Sequence, residues 1–137
     1  MKRHPHVLAY MGGIAAPTLF LLVVLTALVI LRFVLEVQMP VEQVMVFGMA
    51  VVPNFWGLWN ILYLQAGERW HVPLGIWGAI LPVLIAPLGY ALTRGLGFEI
   101  PGIIRSGFPI GFPIILIAYY LAWKYVVGFL NALLGIA

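Results

Sequence analysis

The sequence predicts an all-α integral membrane protein, a bundle of four transmembrane helices in which prolines kink the second and third helices. Composition is the first observation, because 64% of the 137 residues are hydrophobic and only 8% are charged. A soluble domain carries about 25% charged residues. Length is the second, since four apolar runs each approach the roughly 20 residues that cross a bilayer. We therefore interpret residues 1–137 as a single membrane domain.

The predicted spans take up most of the chain, with short turns between them. An apolar run over residues 7–31 is too long for the core of a signal peptide, which has about 7–15 residues. Within it, Gly12 and Gly13 are expected to separate an interfacial lead-in from the first span, which has Pro17 near its first turn. The four spans are expected at about residues 15–35, 41–65, 73–92 and 109–134.

Prolines and glycines mark the boundaries of the later spans. Pro82 and Pro87 each remove a backbone hydrogen bond from the third helix and are expected to kink it. The fourth helix is expected to begin near Pro109 or Pro113. Residues 93–107 are then the longest connection, expected to lie at the membrane interface because they hold three charges.

The second span has one small, polar face that is expected to turn inward. An unpaired amide in hydrocarbon costs several kcal/mol, to order of magnitude. Small residues and asparagine are also the usual material of contacts between membrane helices. Pro53 leaves a carbonyl one turn earlier without its donor, so a kink is expected there. Helical spacing places five residues on this face: Ala50, Pro53, Asn54, Gly57 and Asn60.

The fourth span carries a second polar stripe, made by Tyr120, Lys124 and Asn131 at helical spacing. A charge inside a membrane is costly and is a functional hypothesis by default. Two interpretations stay open for Lys124. Either it is an interfacial anchor between aromatic neighbours, or it is buried and paired inside the bundle.

Charges near span ends predict an ion pair and an orientation. Arg32 and Glu36 are four residues apart, so they share a helix face and can pair. Four spans place both termini on one side, and basic residues are slightly in excess on that side, so both termini are expected to be cytoplasmic.

Several function classes have little support in the sequence. The chain has no cysteine, no nucleotide-binding or hydrolase motif and no carboxylate pair within a span, so enzyme activity is uncertain and not favoured. His4, His6 and His71 are interpreted as terminal and loop residues, and neither a metal nor a cofactor is expected. The net charge of +3 does not indicate nucleic acid, because the basic residues are scattered beside apolar segments.

Three functions remain open at this point. The favoured one is a structural or accessory membrane subunit that packs with itself, as a homo-oligomer, or with a larger membrane partner. The first alternative is a small transporter or channel for a neutral or anionic solute, lined by the two polar stripes. The second alternative is a membrane protein that binds a lipid or another hydrophobic ligand between its helices.

Overall fold

A computed structural model describes residues 4–38, 48–67, 69–97, 99 and 102–136. Within these ranges every regular element is helical and no strand occurs. Three helical segments are long and apolar enough to cross a membrane, judged by length and composition. They are Pro5–Phe33, Leu74–Gly95 and Arg105–Leu133.

The first helix, α1, runs without interruption over Pro5–Phe33. The expected break at Gly12 and Gly13 is therefore wrong, and Pro17 lies inside the helix rather than in its first turn. Both glycines are buried, because they are the point where α1 meets the next helix. An interior glycine costs a helix about 1 kcal/mol relative to alanine, and the close packing it allows offsets that cost.

The second helix, α2, covers Val52–Leu62 and continues as a wider π-helical turn over Tyr63–Gly67. Pro53 lies in its first turn, where the missing N–H of a proline is tolerated. Gly48 and Met49, shortly before it, are π-helical, and the expected kink at Pro53 stays a prediction. The first part of the predicted second span, residues 41–47, lies outside the described residues.

The third helix, α3, covers Leu74–Gly95 and contains Pro82 and Pro87 without ending at either. The fourth helix, α4, covers Gly102–Leu121 and contains Pro109 and Pro113. The expected start near these prolines is therefore wrong, and so is the long connection over residues 93–107. In lipid a helix satisfies its own backbone groups, which favours extending it through the interfacial residues.

The last helix, α5, covers Gly128–Leu133 and joins α4 through a π-helical turn over Ala122–Val127. Trp123 and Val127, both fully buried, point from this turn into the core. The core lies where α2, the first half of α3 and the π-helical turn meet. Its buried members are Trp56, Trp77, Leu81, Ile85, Trp123 and Val127.

Candidate functional site: an amide pair buried between three helices

Two asparagines from different helices form a reciprocal amide pair in the interior. Asn60 of α2 and Asn131 of α5 are both fully buried. Nδ2 of Asn60 donates to Oδ1 of Asn131 at 2.8 Å, and Nδ2 of Asn131 donates to Oδ1 of Asn60 at 3.0 Å. Nδ2 of Asn60 also donates to the backbone carbonyl of Ala9 at 2.8 Å. The pair therefore connects α1, α2 and α5 at one point.

Glycines of α1 make room for the amides. A Cβ added to Gly12 would lie 3.0 Å from Oδ1 of Asn131. A Cβ added to Gly13 would lie 2.6 Å from the carbonyl oxygen of Trp56 and 2.8 Å from Cα of Gly57. Because these neighbours of Gly13 are backbone atoms, they cannot rotate away. The close approach of α1 and α2 therefore depends on the glycines of α1, which have no side chain.

The sequence places Asn60 inward through simple helical spacing. The buried residues of α2 are Pro53, Trp56, Gly57 and Asn60, and steps of three and four keep them on one face. Asn131 is the buried residue of α5, four positions after the buried Val127. Both amides therefore lie on the same helix face as core residues.

Each amide of the pair is hydrogen-bonded to the other within the protein. Each side-chain oxygen accepts from the partner amide, and Asn60 donates twice. Buried polar groups that are paired in this way favour one arrangement of the helices, because any other arrangement leaves them unsatisfied. The site thus joins three helices through hydrogen bonds between side-chain amides and a backbone carbonyl.

Asn54, expected on the inward face, is exposed on α2. Its Oδ1 accepts a hydrogen bond from the hydroxyl of Tyr10, and its Nδ2 donates to the carbonyl of Ala50 at 2.7 Å. The Tyr10 ring also covers Gly57, where an added Cβ would lie 2.5 Å from it. Asn54 is thus a second, outer polar contact between α1 and α2.

The predicted stripe of the fourth span is divided by the structure. Asn131 is fully buried, Tyr120 is half-buried with its ring over Gly75, and Lys124 is exposed. Nζ of Lys124 lies 5.7 Å from the ring centre of Tyr120 and 5.2 Å from that of Tyr125. The lysine therefore lies away from the buried amides, which differs from the expected inward position, and its role as an interfacial anchor stays a prediction.

Aromatic contacts that sequence reasoning missed lie beside the amide pair. The indole nitrogen of Trp59 donates to the carbonyl of Trp77 at 2.8 Å, and that of Trp77 donates to the carbonyl of Trp59 at 3.1 Å. Their rings stack with centres 4.8 Å apart. The sequence shows two tryptophans on neighbouring spans, which is too common a pattern to predict this reciprocal contact.

Two further tryptophans complete the interior. The ring of Trp56 lies 5.3 Å from that of Trp123 and 5.0 Å from that of Tyr119, measured between ring centres. In the described part of the chain, the indole N–H groups of Trp56 and Trp123 are buried without a hydrogen-bond acceptor. These rings therefore stabilise the core through packing and ring contacts.

The remaining predicted residues lie away from the amides. The guanidinium of Arg32 lies 5.6 Å from the ring centre of Phe33, and Glu36 follows the end of α1 with a left-handed φ of 55°. Their ion pair stays a prediction. Among the described residues, no three histidines or acidic residues are grouped as a metal would require.

Comparisons of the chain with protein-family models, with curated protein sequences and with solved structures found no match. The geometry of the chain itself is therefore the basis for any functional assignment.

Proposed function

We propose that this protein is a small structural or accessory subunit of a membrane, a helical scaffold that packs with itself or with a larger membrane partner. The observation that carries the proposal is the reciprocal pair of Asn60 and Asn131, with its third contact to the Ala9 carbonyl. These buried amides are used to hold helices together. A path for a solute needs polar groups that are free to bind it, and the bonded state of this pair favours a scaffold.

Lys124 supports the same choice. An anion path through the bundle would place this cation beside the inward amides. Its exposed position, against the full burial of Asn60 and Asn131, separates the charge from the amides. The alternative of a transporter or channel for an anionic solute depended on the charge of Lys124 inside the bundle, and the exposed position of Lys124 does not support it.

Apolar surface outside the core provides the area for a partner. The second half of α1 exposes large side chains to its surroundings, including Leu19, Phe20 and Val23. Leu22, Val23, Thr26, Ala27 and Ile30 are all exposed on one side of this half, which we call the α1 face. Small and hydroxyl residues such as Ala27 and Thr26 are the usual material of contacts between membrane helices, so this face is the surface on which a second helix would pack.

The proposal includes four crossings and a shared side for both termini. The three long apolar segments supply three crossings, and residues 41–65 supply the fourth. Lys2, Arg3 and Arg69 then face the same side as the termini, which we propose to be cytoplasmic.

The mass of the purified complex tests this function. The full chain is extracted in mild detergent, and light scattering is measured as it elutes from a sizing column. We expect a defined oligomer, or a constant ratio of the chain to one larger membrane protein. Elution as a dispersed monomer without a companion would contradict the proposal.

Site-directed cross-linking adds a matched control, because the chain contains no cysteine of its own. Val23→Cys and Leu133→Cys place single thiols at two positions that are each 70% exposed. If the α1 face is the contact with a second copy, Val23→Cys forms a disulfide-linked dimer in the membrane and Leu133→Cys does not. Equal cross-linking at both positions would show random collision instead of a defined face.

A further inference from the structure

We infer that Lys124, whose ammonium group lies near the rings of Tyr120 and Tyr125, binds the phosphate group of a membrane phospholipid. Lys124 is the only charged residue from position 106 to the end of the chain. It is exposed on the outside of an otherwise apolar segment. An ammonium group in hydrocarbon is costly, so we expect this side chain to place its ammonium at the interface, where an anionic lipid group can reach it from the membrane side.

The surroundings of Lys124 leave its charge available. Nζ lies over the rings of Tyr120 and Tyr125, at 5.7 and 5.2 Å from their centres. A cation at this distance from a ring is attracted by the π-electrons, and within the described part of the chain no acceptor is bonded to its three N–H groups, which can donate to an oxygen. Tyr125 is itself exposed, so its hydroxyl is a further donor at the same surface.

Contacts with α3 set the level of Lys124 in the bilayer. The ring of Tyr120 covers Gly75, and Gly128 is the neighbour of Leu74, so the segment around Lys124 lies beside the first residues of α3. At 1.5 Å per residue, the distance from Leu74 to Arg94 is about 30 Å, which equals the hydrocarbon thickness of a bilayer. The start of α3 is therefore one membrane boundary.

Arg94 marks the opposite boundary with a similar contact. Its guanidinium lies 5.9 Å from the ring centre of Tyr90 and donates to the Tyr90 hydroxyl at 3.4 Å.

Lys124 precedes Gly128 by one helical turn, which is about 6 Å. A lysine side chain can extend over that distance to keep its ammonium at the interface, where lipid phosphates lie.

A lipid phosphate is a better partner for Lys124 than the carboxylate of any described acidic residue. The described acidic residues, Glu36 and Glu99, follow the ends of α1 and α3, at the boundary of Arg94. Glu68 lies outside the described residues, and its carboxylate is the competing partner that an experiment must separate from a phosphate.

Solid-state NMR on the full chain tests the contact directly. The protein has two lysines, Lys2 and Lys124, so in the Lys2→Arg variant a ¹⁵N label in lysine reports Lys124 alone. In vesicles of phosphatidylcholine and phosphatidylglycerol, we expect the ¹⁵Nζ signal to lose intensity when its dipolar coupling to ³¹P is reintroduced. An unchanged signal would overturn the proposal.

Four further samples decide between the sources of the anion and control for non-specific contact. Glu68→Gln should leave the loss of signal unchanged, whereas dephasing of ¹⁵Nζ by a ¹³C label in glutamate carboxylates would identify a protein partner and overturn the proposal. In maltoside micelles with inorganic phosphate, we expect no loss, and an equal loss would identify a soluble-anion site instead. Lys2, labelled in the Lys124→Arg variant, should show a smaller loss than Lys124, and an equal loss would indicate non-specific contact with lipid.

Discussion

The two halves of α1 differ in composition and in surroundings: the first half holds the glycines and prolines, and the second half is made largely of leucine and valine. The buried residues of this helix are Ala9, Gly12, Gly13 and Pro17, all in its first half. The second half exposes Val23 and Phe33 by 70 and 71%. The second half is the more apolar of the two, yet it is the half that remains exposed, so hydropathy does not account for the packing. Small residues and a backbone carbonyl that accepts a hydrogen bond from an amide distinguish the first half of α1. Close approach and hydrogen bonding therefore specify the fold, rather than apolar character.

The largest effect is expected from filling the close contact in the first half. Gly13→Val adds a branched side chain where an added Cβ would already be 2.6 Å from the carbonyl oxygen of Trp56. Overpacking of a tight interior costs about 1–3 kcal/mol and occasionally more, and fixed backbone atoms favour the upper end. The free energy of unfolding in mixed micelles measures the loss.

A matched variant controls for the added side chain itself. Gly111 lies inside α4 with no atom within 4 Å of an added Cβ. Gly111→Val should therefore change the free energy of unfolding by less than about 1 kcal/mol. Equal losses at Gly13 and Gly111 would mean that the α1–α2 contact is not the tight point of the fold.

The next effect concerns the amide that reaches the first half of α1. Asn60→Leu removes the bond to the Ala9 carbonyl and leaves the buried amide of Asn131 unpaired, which costs about 1–3 kcal/mol. The free energy of unfolding of Asn60→Leu, Asn131→Leu and the double variant forms a complete cycle.

Coupling within that cycle distinguishes a real pair from two independent residues. We expect the double variant to lose less stability than the sum of the single variants, because no orphaned amide remains. Simple addition of the two losses would show that Asn60 and Asn131 act separately.

A smaller effect is expected at the outer contact of the same half. Tyr10→Phe removes the hydroxyl that donates to Asn54, and a typical hydrogen bond contributes about 0.5–1.5 kcal/mol. The variant Asn54→Ala should lose a similar amount, and combining the two should add little. A full additional loss in the combined variant would place the two side chains in different interactions.

The smallest effect is expected in the second half of α1. Val23→Ala changes an exposed side chain and should alter the free energy of unfolding by less than about 0.5 kcal/mol. The same variant should weaken association between copies, measured by energy transfer between labelled chains in vesicles. A large loss of folding stability here would remove the difference between the halves.

The sequence predicted the helical class, because helical class depends on local patterns of hydropathy and spacing. Hydropathy and length place the three long apolar helices, and helical spacing places Asn60 among core residues. Spacing within one helix carries no information on which neighbour a face meets. The contact of Asn60 with Asn131 joins residues 71 positions apart, so the pair could not be derived from either helix alone.

Glycine and proline caused the errors in helix boundaries. Gly12, Gly13, Pro109 and Pro113 were expected to stop or start helices, since both residue types disfavour a helix interior in water. In the structure they lie within helices, because a helix in lipid satisfies its backbone and glycine permits close contact. The energy that decides these positions is tertiary and has no local signal.

Hydrogen exchange of the two side-chain amides tests the central claim most directly. With the full chain in bilayers and D₂O outside, NMR signals of the Nδ2 groups of Asn60 and Asn131 are followed over time, with the side-chain amide of Gln38, exposed beyond the end of α1, as reference. Paired amides buried between helices should exchange far more slowly than the Gln38 amide. Exchange at the rate of Gln38 would show water at the pair and would contradict a scaffold locked by these residues.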